Sequence, residues 1–328
     1  MTQPPSPEIT VLMPAYNAQQ YLRPAVESIL NQTFADFEFI IIDDGSTDDT
    51  ARIIASYADP RIRFYQQANQ GLSRTLNRGI SLAHGTFIAR QDADDVSMPQ
   101  RFAAQIEFMK RHADIAMVGT AAEIWVEGRP GGRYHRHPCD PVQLAFAMLF
   151  DNYFVHSSVM IRRAVLEDIG GYSAEKTRQP EDFELWSRIS QKYPVANLPE
   201  VLQIYRERSG SICRTDNFQA SCTRIAAENI ALTLGFKEPA PIHLTLASYM
   251  RGQRPQDRTI PLNALKTLLT EAADAISRRF ASSATDVSAA LAQRMEMLAH
   301  QYRRFHPSYR LGAYLRRRIS GAVGWLGR

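Results

Sequence analysis

The chain has 328 residues, 45% of them hydrophobic and 22% charged, with 17 Gly and 18 Pro. That composition excludes a disordered, collagen-like or low-complexity chain and leaves room for about two folded domains. The formal net charge of +4 is unevenly spread: the last 28 residues hold seven Arg and no acid, so the body is slightly acidic and is not a nucleic-acid-coated surface.

Three cysteines, Cys139, Cys213 and Cys222, form no CxxC pair, so neither a disulfide framework nor a zinc site is indicated. The opening MTQPPSPEIT lacks a basic segment followed by an apolar one and does not read as a signal peptide. The longest apolar run, Leu144 to Phe150, is far short of the ~20 residues of a membrane span. The expectation is a reduced, cytoplasmic protein.

In chain order, Glu8 to Met13 reads as a buried strand ended by Pro14, and a helix follows with Leu22, Val26, Ile29 and Leu30 on one face. Pro24 is compatible with that helix only in its first turn. Phe37 to Ile42 is a second strand running into Asp43-Asp44-Gly45-Ser46-Thr47, where Ser46 or Thr47 would cap the next helix, around Ile53, Ile54 and Tyr57. Ile62 to Tyr65 is a third strand. Leu72 to Ala83 is a helix stopped by Gly85, and Phe87 to Ala89 is a fourth strand leading into Asp92-Ala93-Asp94-Asp95. Met98-Pro99 opens another helix.

Beyond residue 115 the pattern changes. Residues 115–126 read as two short strands, Gly128 to Gly132 as a turn, 140–150 as a helix, 156–162 as a strand and 181–191 as a helix. Segments 217–235, 257–280 and 284–304 read as helices joined by proline-bearing connections. The strand–helix alternation predicts an α/β fold, a mostly parallel sheet flanked by helices, whose ligands sit beyond the carboxyl ends of the strands. The acidic clusters at 43–44 and 92–95 fall at such ends. A boundary near 215 separates an N-terminal domain, 1–215 (8–95 and 115–206 as its halves), from a helical appendage, 216–328.

Three carboxylates within four residues repel one another unless a cation neutralises them, and hard Mg²⁺ or Mn²⁺ ions take oxygen ligands of this kind. An acidic loop capping the helix at 98 is the plain alternative. Asp43-Asp44-Gly45-Ser46 equally suits a turn or a site accepting hydrogen bonds from a base or ribose. Glu181-Asp182 opens a helical pattern, where an acid is favoured by the helix dipole whatever its function. A core-packed Tyr16, a solvated Arg74 and a satisfied structural His156 are the corresponding plain readings.

Taken together these segments resemble the family 2 glycosyltransferases, which have the A-type, Rossmann-like glycosyltransferase fold. The matching text is ITVLMPAYN (9–17), SILNQTFADFEFIIIDDGSTD (28–48), NQGLSRTLNRGI (69–80), HGTFIARQDADD (84–95), HSSVMIRR (156–163), GGY (170–172) and EDFELWSRI (181–189), covering roughly residues 8–206. The resemblance implies that Pro14, Ala15 and Tyr16 line the base pocket, that Asp44 accepts a hydrogen bond from the base with Asp43 beside it, and that Arg74 touches base or diphosphate. It places Asp92, with Ala93, near ribose and diphosphate, makes Asp94 the metal ligand, and makes Asp95 its neighbour or a sugar contact. His156 contacts the donor sugar or supports the acid pair Glu181-Asp182, which is the acceptor-side site, and Asp182 becomes the general base. The implied reaction is metal-dependent, inverting transfer from a nucleotide-diphospho-sugar, UDP foremost, to a surface glycan such as lipopolysaccharide or capsule, with Mn²⁺ or Mg²⁺ as cofactor. A nucleotidyltransferase, or a non-enzymatic sugar-nucleotide-binding subunit, is the alternative. The first would want a Gly-rich, basic loop after the first strand, which Pro14-Ala15-Tyr16-Asn17 does not supply.

One departure stands out. The family's Tyr-Arg-x-His segment reads Tyr205-Arg206-Glu207-Arg208 here, so Glu207 becomes a substitute oxygen ligand, or Arg206 and Arg208 phosphate contacts. Gln301 to Phe305 faintly echoes the QxxRW segment of processive synthases. Residues 308–326 can be drawn as a basic amphipathic helix suited to an anionic membrane surface and a lipid-linked acceptor.

Overall fold

The computed structural model describes residues 6–175, 179–207, 216–281 and 285–306. Cys213, Arg208 and the amphipathic stretch 308–326 lie outside them. The chain divides into two compact units, one of residues 1–145 with 152–219, the other of 146–151 with 220–328.

The first unit is built on one mixed sheet. In chain order its elements are β1 (Ile9–Ala15), α1 (Leu22–Leu30), β2 (Phe37–Asp43), α2 (Thr50–Ala55), β3 (Ile62–Gln66), α3 (Leu72–Leu82), β4 (Phe87–Arg90), β5 (Val96–Ser97) and α4 (Arg101–Arg111). There follow β6 (Met117–Val126), β7 (Arg129–His135), α5 (Pro141–Ala147), a 3₁₀ turn at His156–Ser158, β8 (Met160–Arg162), α6 (Arg163–Ile169), α7 (Glu181–Lys192) and β9 (Val195–Glu207). The strand order is β3-β2-β1-β4-β8-β6-β9-β5, with β7 paired to β6. The first four strands are mutually parallel, β8 joins them antiparallel, and β6 pairs parallel with β9.

The parallel half forms where the sequence expects it. β1 and β2 are buried along their whole length, as central strands covered on both faces should be. On one face Ile9, Val11, Met13, Phe39 and Ile41 pack against Leu22, Val26 and Ile29 of α1 and Phe102, Ile106 and Met109 of α4. Each such fully buried side chain contributes about 1.5–3 kcal/mol. Pro24 lies in the first turn of α1, where its missing N–H leaves no helical bond unmade.

Several local expectations are corrected. Neither Ser46 nor Thr47 caps α2, which starts later, at Thr50. Instead Ser46 Oγ accepts the Asn17 N–H and the Thr47 N–H donates to Asn17 Oδ1, tying the ends of β1 and β2 together. Gly85 does not end α3 in a left-handed turn. It is glycine because β1 runs against it: a Cβ there would lie 2.3 Å from Thr10 N and 2.6 Å from Ile9 C. Gly85→Ala should therefore lower stability by about 1–3 kcal/mol, the usual effect of overpacking a rigid backbone contact, read as a lower denaturant midpoint with an unchanged slope.

Residues 115–126 form one ten-residue strand, β6, not two. It pairs with β9 through register shifts at Thr120–Ala122, which break the alternation a strand normally shows. The turn expected over 128–132 is a tight one at Glu127-Gly128, both with positive φ (50° and 81°), and β7 already begins at Arg129. That pair of left-handed residues suits the twist of a two-residue hairpin. β9, with Pro199 inside it, was not expected as a strand.

The second unit is helical: α8 (Asp216–Thr233), α9 (Pro241–Met250), α10 (Leu262–Arg279) and α11 (Ser288–Phe305). α10 buries the stripe Leu265, Leu268, Leu269, Ala272, Ala273 and Ile276, the i, i+3, i+4, i+7 spacing of an amphipathic helix. Tyr302, from the QxxRW-like segment, is 5% exposed and stacks near Tyr249, with its hydroxyl donating to the Ile260 carbonyl. That is a packing role. No described helix is long and apolar enough to cross a membrane.

Candidate functional site

The carboxyl ends of β1, β2 and β4 lie side by side. Pro14 and Ala15 are opposite Ile42 and Asp43 in the parallel register, and the Asp44 N–H donates to the Ala15 carbonyl. Tyr16, just beyond, is 54% exposed, so it is not the core residue of its plain reading. Asp43 is buried, and its Oδ1 accepts the Ser46 N–H. Asp44, also buried, accepts from Gln67 Nε2 and Gln70 N on one oxygen and from Gly71 N on the other. Three donors occupy three of its four lone-pair directions. Asp44 thereby shapes the loop that leads into α3, where Arg74 is exposed.

The acidic turn is held from beneath by a buried polar network the sequence did not reveal. Arg101, wholly buried on α4, finds acceptors for all five N–H bonds: Gln105 Oε1, Gln91 Oε1, Ser97 Oγ and the carbonyls of Arg90 and Val159. Gln91 Nε2 in turn donates to the carbonyls of Asp92 and Asp95. Burial, with Arg90 nearby, pulls the Arg101 guanidinium down to about 9. A signal existed: Arg101 and Gln105 sit in the helical register of Phe102, Ile106 and Met109, at positions periodicity assigns to the core.

Within the turn the acids differ. Asp95 is 1% exposed, accepting from Ser157 Oγ and from the Arg206 N–H (2.8 Å). Burial and the Asp92 charge push it up to about 7. Asp95 thus stitches the turn to the 3₁₀ turn and to β9, rather than facing a sugar. Asp94 and Asp92 are half-buried, and Ala93 packs into the core. Asp92 Oδ1 accepts from Arg90 Nη2 at 2.6 Å.

Arg90 is the second residue that sequence reasoning missed. It is 1% exposed at the end of β4, and among the described residues its Nε and Nη1 find no hydrogen-bond partner. Its charge acts on Asp95, His156, Tyr172 and Glu181 as well as Asp92. A cation ending a strand of otherwise apolar residues is the signal that could have pointed to it.

Across from it stand the acids of α7. Glu181 and Asp182 occupy the first helical turn, after Pro180. Asp182 Oδ1 accepts the Phe183 N–H, and Oδ2 accepts from Asn152 Nδ2 at 2.8 Å. Poor solvation, with Glu181 and then Asp92 as neighbouring negative charges, pushes the Asp182 carboxyl up to about 7. Glu181 is raised by burial too. His156 bonds Tyr172 Oη at 3.0 Å and has Glu181 Oε1 4.0 Å from its Nδ1, yet burial and the Arg90 charge hold it down at about 3, so its ring is neutral near pH 7. His156, Tyr172 and Phe154 pack around Trp186, with ring centroids 5.8–6.4 Å away.

The predicted residues thus gather in two places, a strand-end group at 14–16 and 43–44, with Arg74 following on α3 after the loop that Asp44 holds, and a group of Asp92, His156, Glu181 and Asp182 near Arg90. Glu207 is paired with Arg133 at 2.7 Å, and the Arg206 guanidinium lies between the rings of Tyr21 and Trp125. Among the described residues no three His, Cys, Asp or Glu side chains converge as a metal cage. The donor set is oxygen-only and small. That fits Mg²⁺ or Mn²⁺, which typically take one or two carboxylates and complete their shell with phosphates and water.

A parallel half ending in an acidic turn, continued by a second, mixed half with a raised acid pair, is the architecture of an A-type glycosyltransferase. The chain belongs to glycosyl transferase family 2, whose family model matches residues 10–170, and it is a glycosyltransferase. It is 36% identical over 215 residues to the glycosyltransferase EpsE of Bacillus subtilis, covering 63% of this chain and 76% of that protein. It is 32% identical over 204 residues to the O-antigen biosynthesis glycosyltransferase WbnJ of Escherichia coli, covering 60% and 79%. Its fold is similar to that of S. aureus TarS 1–349 in complex with UDP-GlcNAc (TM-score 0.60, 18% identity, 93% and 92% covered). The mannosyltransferase PcManGT of Pyrobaculum calidifontis, solved with GDP-Man and Mn²⁺, is similar at TM-score 0.54 and 16% identity, with 90% and 85% covered.

Proposed function

We propose that this chain moves a sugar from a UDP-sugar to a hydroxyl of a growing surface glycan, with inversion at the anomeric carbon and with Mn²⁺ or Mg²⁺. The observation that carries the reading is electrostatic. The Glu181-Asp182 pair feels the charge of Asp92 in the acidic turn, so the acceptor-side acids and the donor-side acids belong to one site. The O-antigen role named for WbnJ and the UDP-GlcNAc held by TarS support the choice of acceptor class and nucleotide.

In this reading exposed Tyr16 stacks on the base, beside Pro14 and Ala15, and the last lone-pair direction of Asp44 accepts from the base edge. Asp43 fixes the loop that carries them, and Arg74 approaches the diphosphate. Asp94 would hold the divalent ion, which when bound supplies Lewis-acid stabilisation of the leaving nucleoside diphosphate. Asp92, oriented by Arg90, faces ribose and diphosphate. Asp182 takes the acceptor hydroxyl proton as the new C–O bond forms and the anomeric C–O bond to phosphate breaks on the opposite face. One such displacement inverts the configuration. A carboxyl raised to about 7 is well matched to taking a proton near neutral pH. His156, held neutral, hydrogen-bonds Tyr172 and shapes the sugar side without carrying charge. Attachment to an anionic membrane surface, bringing the enzyme to a lipid-linked acceptor, is part of the reading and falls to residues 308–326.

Thermal-shift measurement with a panel of UDP-, GDP- and other nucleotide-sugars, with and without Mn²⁺, tests it. A ligand at a hundred times its Kd stabilises by about 2.7 kcal/mol, so a UDP-sugar with Mn²⁺ should raise the midpoint by several degrees, and more than without the ion. No shift with any member of the panel would overturn the reading.

A further inference from the structure

The Asp182 carboxylate has a dedicated partner outside its own helix. Asn152 Nδ2 donates to Asp182 Oδ2 at 2.8 Å. The amide is not free to turn over, because its Oδ1 accepts the Phe154 N–H at 3.0 Å, which leaves the Nδ2 side for Asp182. The other carboxylate oxygen is held by the Phe183 N–H. The plane of the carboxylate is therefore set from two directions, by the first turn of α7 and by the loop that runs from Asn152 into His156. We propose that Asn152 is a positioning residue for the proton transfer, orienting the Asp182 carboxylate and stabilising its ionised form. The inference rests on the reading of Asp182 as the base.

The surroundings make such a donor necessary. Glu181 lies beside Asp182 on α7, Asp92 faces it from the acidic turn, and Tyr172 stands near it from the segment after α6. Arg90, at the end of β4, acts on Glu181 and on the neutral His156 of the 3₁₀ turn, and is bonded to Asp92. Both acids near Asp182 oppose its ionisation. Besides the Phe183 N–H, Asn152 offers a donor to the charged form without bringing a competing positive charge. A hydrogen bond to the ionised form favours that form, so removing it raises the carboxyl further, and protonated Asp182 cannot take the hydroxyl proton. A Lys or Arg in its place would pair with Asp182 and depress its basicity. The neutral amide orients without doing so.

The test uses Asn152→Ala, Asp182→Asn and the double variant of the full chain. Two quantities are followed against pH. One is nucleoside diphosphate released, with water as acceptor, from the panel nucleotide-sugar that stabilises the chain most. The other is the thermal midpoint without ligand. Asn152→Ala should move the acid limb of the release profile up by about one pH unit and lower its plateau about tenfold, with the donor KM within about twofold, since an interaction used in the transition state affects kcat. Its midpoint should fall more at pH 8.5 than at pH 5.5, and that pH-dependent part should vanish in the Asp182→Asn background. A merely structural Asn152 would lower the midpoint equally at both pH values and leave the acid limb in place, which would overturn the proposal. If Asp182→Asn releases diphosphate at the wild-type rate, the base reading itself fails, and the positioning role with it. Loss of activity in Asp182→Asn together with an unmoved Asn152→Ala profile overturns the positioning role alone.

Discussion

Asp182→Asn is expected to reduce transfer by about 10²–10⁴-fold, the usual contribution of a positioned general base, while making the ligand-free protein more stable at neutral pH. The two effects share one cause. The folded protein holds the Asp182 carboxyl up at about 7 through poor solvation and the negative charges of Glu181 and Asp92, whereas an unfolded chain ionises it near 3.9. A group whose folded pKa is raised favours the folded state in its neutral form. Its stabilisation is therefore complete below about pH 4 and is lost as pH climbs to about 7. Above that, both states are ionised and the penalty is constant. Three units correspond to a ceiling of about 4 kcal/mol at 1.36 kcal/mol per unit, and solvent reaching this half-buried group reduces the figure. Asparagine never ionises, so the gap in thermal midpoint between variant and wild type should open between pH 4 and 7 and then stay level. The Asn side chain still offers an oxygen to the Phe183 N–H, but its amide nitrogen then meets the Asn152 Nδ2 donor, so one hydrogen bond is lost, which offsets part of the gain equally at every pH. Nucleotide-sugar binding, measured by calorimetry, should change little. A variant that transfers at the wild-type rate would remove Asp182 as base, and a midpoint difference that does not vary with pH would remove the electrostatic account of its raised pKa.

Part of the candidate site was readable in the sequence and part was not. The acids were legible because carboxylates clustered at strand ends and at a helix start stand out against apolar neighbours, although a turn, a cap or the helix dipole favours them there too. Asp92, Asp94, Glu181 and Asp182 could be named from residue type and place. Their supports were not, because Arg90, Gln91, Arg101 and Asn152 act through partners 1 to 58 positions away, which no single local pattern links. Asp95 illustrates the limit: its type matched its neighbours, but the chain folds it inward onto Ser157 and the Arg206 N–H.

The fold divides the same way. β1 to β4 follow from apolar runs and turn residues, since a covered parallel strand is apolar throughout. β6 and β9 were misread or missed because their pairing shifts register around Thr120 and Pro199 interrupts β9, so neither shows a clean period. α9, Pro241–Met250, was hidden among prolines read as connections, although Pro at the first helical position is favourable.

Arg90→Met is expected to be the most damaging substitution at this site for folding. Removing one partner from a buried ion pair typically costs about 3–5 kcal/mol, because the other charge is left uncompensated. Here the loss reaches beyond one pair. The guanidinium bonds Asp92 Oδ1 at 2.6 Å and also offsets the negative charge at Asp95 and Glu181. Methionine fills most of the volume of the side chain, so a cavity contributes little and the loss reports on charge. Arg90→Lys separates charge from geometry. Its compact ammonium keeps the positive charge but lacks the planar fork that meets the carboxylate, so its stability should fall between wild type and Arg90→Met. The double variant Arg90→Met with Asp92→Asn should be more stable than Arg90→Met alone, since it removes the negative charge that Arg90 had offset. Denaturant unfolding of wild type, Arg90→Met, Asp92→Asn and the double variant closes a double-mutant cycle, in which a favourable coupling of about 1 kcal/mol or more is expected. Additive losses would mean that the Arg90–Asp92 bond is incidental, and that the cation is kept for its action on the acids of α7. In that case the deficit of Arg90→Met would appear in the pH profile of transfer, through a Glu181 carboxyl raised further, with Asp92 contributing nothing to it.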